Sequence, residues 1–161
     1  MFFNRKYGIT EKLEKIFWKK YYSESVIQDV EIPIDNCAKF LEFFNKEIGI
    51  KPIWVCPVMS YKKMKYDLYN LDGSKLYVNF GFWDIVKTKG EKENGYFNKK
   101  IEKKVKELNG KKSLYSTSYY DEKEFWELYN GKNYFKLKKK YDPCKIFPTL
   151  FLKAVKFKWL F

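Results

Sequence analysis

Two apolar stripes at helical spacing govern what this chain can fold into. One is Cys37, Phe40, Leu41, Phe44 and Ile48; the other is Phe97, Ile101, Val105 and Leu108. Each marks one face of a helix, and each runs into a glycine, Gly49 or Gly110, the residue that most easily takes the left-handed conformation closing a helix. Asp35 precedes the first stripe as a cap. Strand-like segments separate the helices: Val26–Ile34 before the first, Ile50–Met59 and Lys75–Phe82 between them, and Lys111–Ser118 after the second. A helix with one apolar stripe must bury it against another layer. The order strand, helix, strand, strand, helix, strand therefore predicts an α+β domain of the ferredoxin-like βαββαβ type, an antiparallel sheet with helices on one face. C-terminal helices complete it: Asp121–Tyr129, opened by Asp121 and Glu124 at capping-box spacing, then Tyr134–Lys140, then Thr149 to about Phe157. A further helix, from Thr10 to about Tyr22, is predicted ahead of the first strand.

The 161 residues suit one domain with a real core, and 45% hydrophobic residues argue against disorder. No segment has the eighteen or so uncharged apolar residues of a membrane span, and charges throughout the first fifteen residues exclude a signal peptide there. Cys37, Cys56 and Cys144 are odd in number and far apart, which fits reduced thiols rather than a disulfide framework or a zinc site. The formal charge of +13 invites a nucleic-acid reading, yet only Arg5 among the basic residues is arginine, the side chain best suited to bidentate readout. A solvated lysine surface is the better reading.

Two strands say more than their type. In Lys75–Phe82, Leu76, Val78 and Phe80 alternate with Lys75, Tyr77, Asn79 and Gly81, so the second set faces away from the helices. Around Trp54 both faces are apolar, with Ile53 and Val55 on one and Trp54, Cys56 and Val58 on the other. A strand apolar on both faces needs cover on both, and the helices supply one layer. The open face is expected to meet another domain, a subunit or a large apolar ligand. The hydroxyl-rich run Tyr115–Tyr119 ends the last strand beside it.

Six motifs in order, Ile27–Pro33, Pro52–Pro57, Leu76–Asp84, Leu114–Tyr119, Glu124–Tyr129 and Lys140–Pro143, resemble the C-terminal half of the 24-dehydrocholesterol (Δ24-sterol) reductase-like FAD-dependent oxidoreductases, flavoproteins of the vanillyl-alcohol-oxidase type. The resemblance covers about Ser23 to Val155. It implies a substrate or cap domain at residues 23–161, behind a helical segment at 1–22, without the N-terminal FAD-binding domain. FAD would come with a partner domain or subunit, NADPH would act as reductant, and the substrate would be a sterol-like or other lipid alkene. By resemblance Tyr77 and Asn79 point toward flavin and substrate and Tyr115 lines the same cavity. Ser118 stands where related flavoenzymes often carry a lysine.

In such a reduction the flavin delivers hydride and the protein supplies an acid. With no histidine in the chain, Tyr115 or Tyr77 is the expected proton donor, since a phenol of pKa ~10 stays protonated at neutral pH. Asn79, Tyr115 and Ser118 are the expected cofactor contacts; Trp54, Cys56, Tyr77 and Tyr119 the expected substrate contacts, with Tyr61 and Phe82 as further apolar walls. The expected location is cytoplasmic or intracellular membrane-peripheral. Competing readings are a non-enzymatic lipid- or protein-binding module, an inactive gene fragment, and a lysine-rich nucleic-acid binder.

Overall fold

A computed structural model describes residues 21–61 and 67–156. Its elements are β1 (Tyr21–Pro33), a 3-10 turn (Ile34–Asn36), α1 (Cys37–Glu47), β2 (Trp54–Val58), β3 (Tyr77–Lys89), α2 (Tyr96–Glu107), β4 (Lys111–Lys112), α3 (Glu122–Leu128), α4 (Gly131–Tyr141) and a π turn (Leu152–Lys156). The sheet order is β2-β3-β1-β4, and every neighbouring pair is antiparallel. Val26, Val30 and Ile32 of β1 and Phe80 and Phe82 of β3 form one core with Phe40 and Phe44 of α1 and Ile101 and Val105 of α2. Both apolar stripes thus bury against one face of the sheet, as the element order predicts.

Several boundaries differ from the sequence reading. The expected helix Thr10–Tyr22 lies outside the described residues except for Tyr21 and Tyr22, which open β1 instead. The register of β1 against β3 runs unbroken from Tyr21↔Lys89 to Pro33↔Tyr77, so both strands extend well past their apolar centres. Leu76 precedes β3 and stays partly exposed rather than packing on the helices. Asp35 does not cap α1, because a 3-10 turn intervenes and Asn36 takes the N-cap position without a side-chain capping bond, its amide donating instead to Leu108 O at 3.0 Å. Asp121 does cap α3, accepting the Glu124 N–H at 2.8 Å. At the end of α2 the left-handed residue is Asn109 (φ 56°), one position before the expected glycine. Gly110 is needed for another reason: a Cβ there would lie 2.7 Å from the Glu31 carbonyl oxygen.

The largest difference is β4. The segment expected to be strand through Ser118 pairs only at Lys111 and Lys112, opposite Glu31 and Val30. Beyond that, the chain satisfies its backbone elsewhere. Thr117 O accepts from Lys112 Nζ at 2.7 Å, Ser118 N–H donates to Ala154 O at 2.8 Å, and Tyr119 N–H donates to the Glu102 carboxylate. Those bonds replace a ladder and turn the chain toward α3. Tyr120, Phe125, Tyr129, Phe151 and Ala154 then form a second, smaller core under the C-terminal helices.

Two buried carboxylates tie the layers together. Glu24 of β1 accepts the Phe97 and Asn98 N–H groups at 3.0 and 2.9 Å, supplying from another strand the N-terminal partner that Gly95 cannot give α2. Glu102 of α2 pairs with Lys112 Nζ at 2.6 Å, both side chains almost wholly buried. Burial pushes the Glu102 carboxyl up and the Lys112 amine down, and their mutual attraction works against both shifts.

Candidate functional site

The face of the sheet away from the helices is the candidate site. Alternation and register set its contents. Ile27, Asp29 and Glu31 of β1 stand opposite Trp83, Gly81 and Asn79 of β3, and Trp54 and Cys56 of β2 stand opposite Gly81 and Asn79. Trp54 is 59% exposed and Trp83 60%. They stand beside a strip of bare backbone at Gly81, where a Cβ would meet Asp29 Oδ1 at 2.4 Å and the Trp54 Cβ at 3.3 Å. The glycine makes room for the Asp29 carboxylate beneath a flat, open surface.

At the β4 side the face is polar and more covered. Glu31 is buried and accepts three bonds, from the Asn79 side-chain amide at 2.9 Å, from Ser113 Oγ at 3.2 Å and from the Tyr69 hydroxyl. Burial, and then the Glu31 charge, raise the Tyr69 phenol far above its ordinary range. Next to this group, the Tyr115 phenol lies close enough to the Asp29 carboxylate for each to shift the other's titration. Burial and then the Asp29 charge push Tyr115 up to about 12, although its side chain remains half-exposed. Burial also raises Asp29, with the phenol's hydrogen bond pulling it back. The result is a phenol that stays protonated throughout the physiological range and can be reached from outside.

The residues singled out from sequence fall into two places. Trp54, Cys56, Tyr77, Asn79 and Tyr115 share the open face. Tyr77 is buried at its end, where its hydroxyl oxygen accepts the Asp72 N–H at 3.2 Å. Ser118 and Tyr119 lie elsewhere. Ser118 is buried beside Ala154, and Tyr119 sits against α2, its ring filling the space a Gly95 side chain would need. Of the expected apolar walls, Tyr61 is exposed, but Phe82 is not available. It is buried on the helix side with its ring 4.4 Å from Phe44, because it shares the parity of Val78 and Phe80. Asp29, Glu31, Tyr69 and Trp83 were missed. The available signal for the two acids was their alternation with Val26, Val30 and Ile32, which puts them on the non-helical face.

No family model and no solved structure matches the chain. Curated proteins do. The chain is 29% identical over 138 residues to the Delta(24)-sterol reductase of Rattus norvegicus, and 28% identical over 138 residues to that of Homo sapiens, in each case across 86% of this chain. Delta(24)-sterol reductase of Arabidopsis thaliana is 28% identical over 152 residues, across 84% of this chain. Each match covers 27% of the relative, so the chain spans about a quarter of the length of these proteins. Over most of its own length, this chain is similar to a part of the Δ24-sterol reductases.

Proposed function

We propose that this chain is the substrate-facing part of an FAD-dependent oxidoreductase of the Δ24-sterol reductase kind, equivalent to the C-terminal half of such enzymes. It would reduce a carbon–carbon double bond in a sterol-like or other lipid, with NADPH as reductant and FAD held by a further domain or subunit, on the same polypeptide or another. The similarity to Δ24-sterol reductases across 86% of the chain carries the reading. The open face supports it independently. The bare backbone at Gly81, with Trp54 across from it and Trp83 two residues along the same strand, is a surface that a flat ring would suit, and Asn79 and Tyr115 are the residues that would hold such a ring. When bound there, the flavin would supply hydride to one alkene carbon.

The chain's own residues would do the rest. Trp54, Trp83 and Ile27 present apolar surface to a lipid skeleton and keep water from it. Tyr115 Oη donates its proton to the second alkene carbon as the new C–H bond forms, and its exposed side lets solvent reprotonate the phenolate. The Asp29 charge beside it, added to burial, keeps the phenol protonated between turnovers. Glu31 orients the Asn79 amide.

The test is reconstitution of the chain with an FAD-binding unit from a Δ24-sterol reductase. After NADPH has bleached the yellow complex, lipid-dependent return of the yellow colour of the oxidised flavin is expected. In that complex Tyr115→Phe should lower kcat by about 100-fold or more while changing KM little. A complex that forms but never oxidises in response to any lipid alkene would leave only a binding module, and the oxidoreductase reading would fail.

A further inference from the structure

The C-terminal surface carries a second feature, unrelated to the open face. Between Gly131 and Lys156 the sequence has eight lysines and one acidic residue, Asp142. That segment alone accounts for more than half of the formal charge of +13. Within it the turn after α4 holds three large apolar side chains out in solvent: Tyr141 is 72% exposed, Ile146 76% and Phe147 68%.

This tip is built rather than loose. The Asp142 carboxylate accepts the Ile146 N–H at 2.8 Å and the Phe147 N–H at 3.2 Å. Lys138 Nζ bonds the same carboxylate and the Phe147 carbonyl, the latter at 2.8 Å. Lys145 takes the left-handed conformation (φ 55°) that the tight turn requires. The segment's single acid is therefore spent inside the turn, and its charge is met by Lys138. What the end of α4 and the turn show outward is apolar side chains together with the exposed lysines Lys139, Lys140 and Lys145.

Exposed apolar side chains on a rigid turn, with one sign of charge around them, match one partner better than any other. A protein partner would be expected to bring acids to particular lysines, and nucleic acid would gain little from Ile146. An anionic bilayer answers both parts at once: its headgroups meet the lysines, and its acyl boundary receives the apolar tip. Lysine stems can lie along that boundary while their amines reach the headgroups. We infer that the turn following α4, with Ile146 and Phe147 at its tip and lysines around it, docks this protein on the surface of an anionic lipid bilayer. The inference stands apart from the oxidoreductase reading, since none of its residues belongs to the open sheet face.

The experiment is co-sedimentation of the full chain with phosphatidylcholine vesicles, with and without phosphatidylserine. Binding to the phosphatidylserine vesicles is expected, weakening as salt is raised. Lys139→Gln, Lys140→Gln and Lys145→Gln together should weaken it by about a hundredfold. Ile146→Ser with Phe147→Ser should weaken it by about tenfold or more. Both variants change exposed side chains, and unaltered circular dichroism confirms that each is folded. No binding to either vesicle overturns the inference. So does a serine variant that binds as well as the parent while the glutamine variant does not, since that pattern means polyanion attraction without insertion. Equal displacement from vesicles by a single-stranded oligonucleotide, with the serine variant again unaffected, would reassign the surface to nucleic acid.

Discussion

An added Cβ at residue 81 would overlap Asp29 Oδ1 and press on the Trp54 Cβ at 3.3 Å, so the carboxylate would have to shift. Gly81→Ala should therefore displace the Asp29 carboxylate and destabilise the domain by about 1–3 kcal/mol, read from the urea midpoint at unchanged m value. Asp29 has its own signature. Its folded pKa is raised by burial, so the carboxyl adds most to stability when protonated in both states, below about pH 4. That contribution is lost as pH rises through the folded value. Asp29→Asn removes the loss: the variant should gain on the parent across that window and then hold a constant advantage. A stability difference independent of pH would show that Asp29 is not desolvated. The same variant should lower the Tyr115 pKa from about 12, followed through the ring carbon of labelled tyrosine. At this scale the sequence was half legible. Alternation alone placed Asn79 and Gly81 on the open face. It did not reveal that Asp29 lies across from Gly81 or Glu31 from Asn79, because that depends on cross-strand register, which no local pattern encodes.

β4 and the loop after it show what an element can owe to one buried pair. Lys112 Nζ reaches both Glu102 and the Thr117 carbonyl, while Glu102 receives the Tyr119 N–H, so the pair fastens the 113–119 loop to α2. Removing one partner strands the other. Lys112→Met should cost about 3–5 kcal/mol, because Glu102 would be left buried and uncompensated. Adding Glu102→Leu should recover most of that loss, since two apolar groups can replace a buried pair nearly neutrally. Denaturant unfolding of the two variants measures both numbers, and a double variant no more stable than the single would mean that the loop contacts, not the charges, carry the energy. The helices of this fold were readable because their stripes are long and end in helix-stopping residues. The 111–118 segment was not. Its place in the element order, after a stopped helix, called for a strand, but its backbone groups find Lys112, Glu102 and Ala154 before they find a neighbouring strand.

The whole molecule keeps two exposed surfaces apart. The open sheet face combines tryptophan with carboxylates, whereas the C-terminal surface combines apolar tips with lysines. Overall composition hid this division: lysines are spread along the chain, yet Gly131–Lys156 holds eight of them against Asp142 alone. If the open face is covered by an FAD-bearing unit, Trp54 and Trp83 are the side chains that must be desolvated. They stand on adjacent strands, Trp54 across from Gly81 and Trp83 two residues along the same strand, where a partner's contacts would concentrate. Trp83→Glu should weaken association with that unit by about 30-fold or more, because it places a charge at the centre of an apolar contact. Tm should move by no more than about 2 °C, since the side chain is 60% exposed and few core contacts are lost. The parent protein should also show a blue shift of tryptophan emission on association. Ile146→Ser with Phe147→Ser should leave this association unchanged, because those residues lie on the other surface. Association that survives Trp83→Glu but fails in the serine variant would place the partner on the C-terminal tip and remove the open face from its role as the cover of a cofactor.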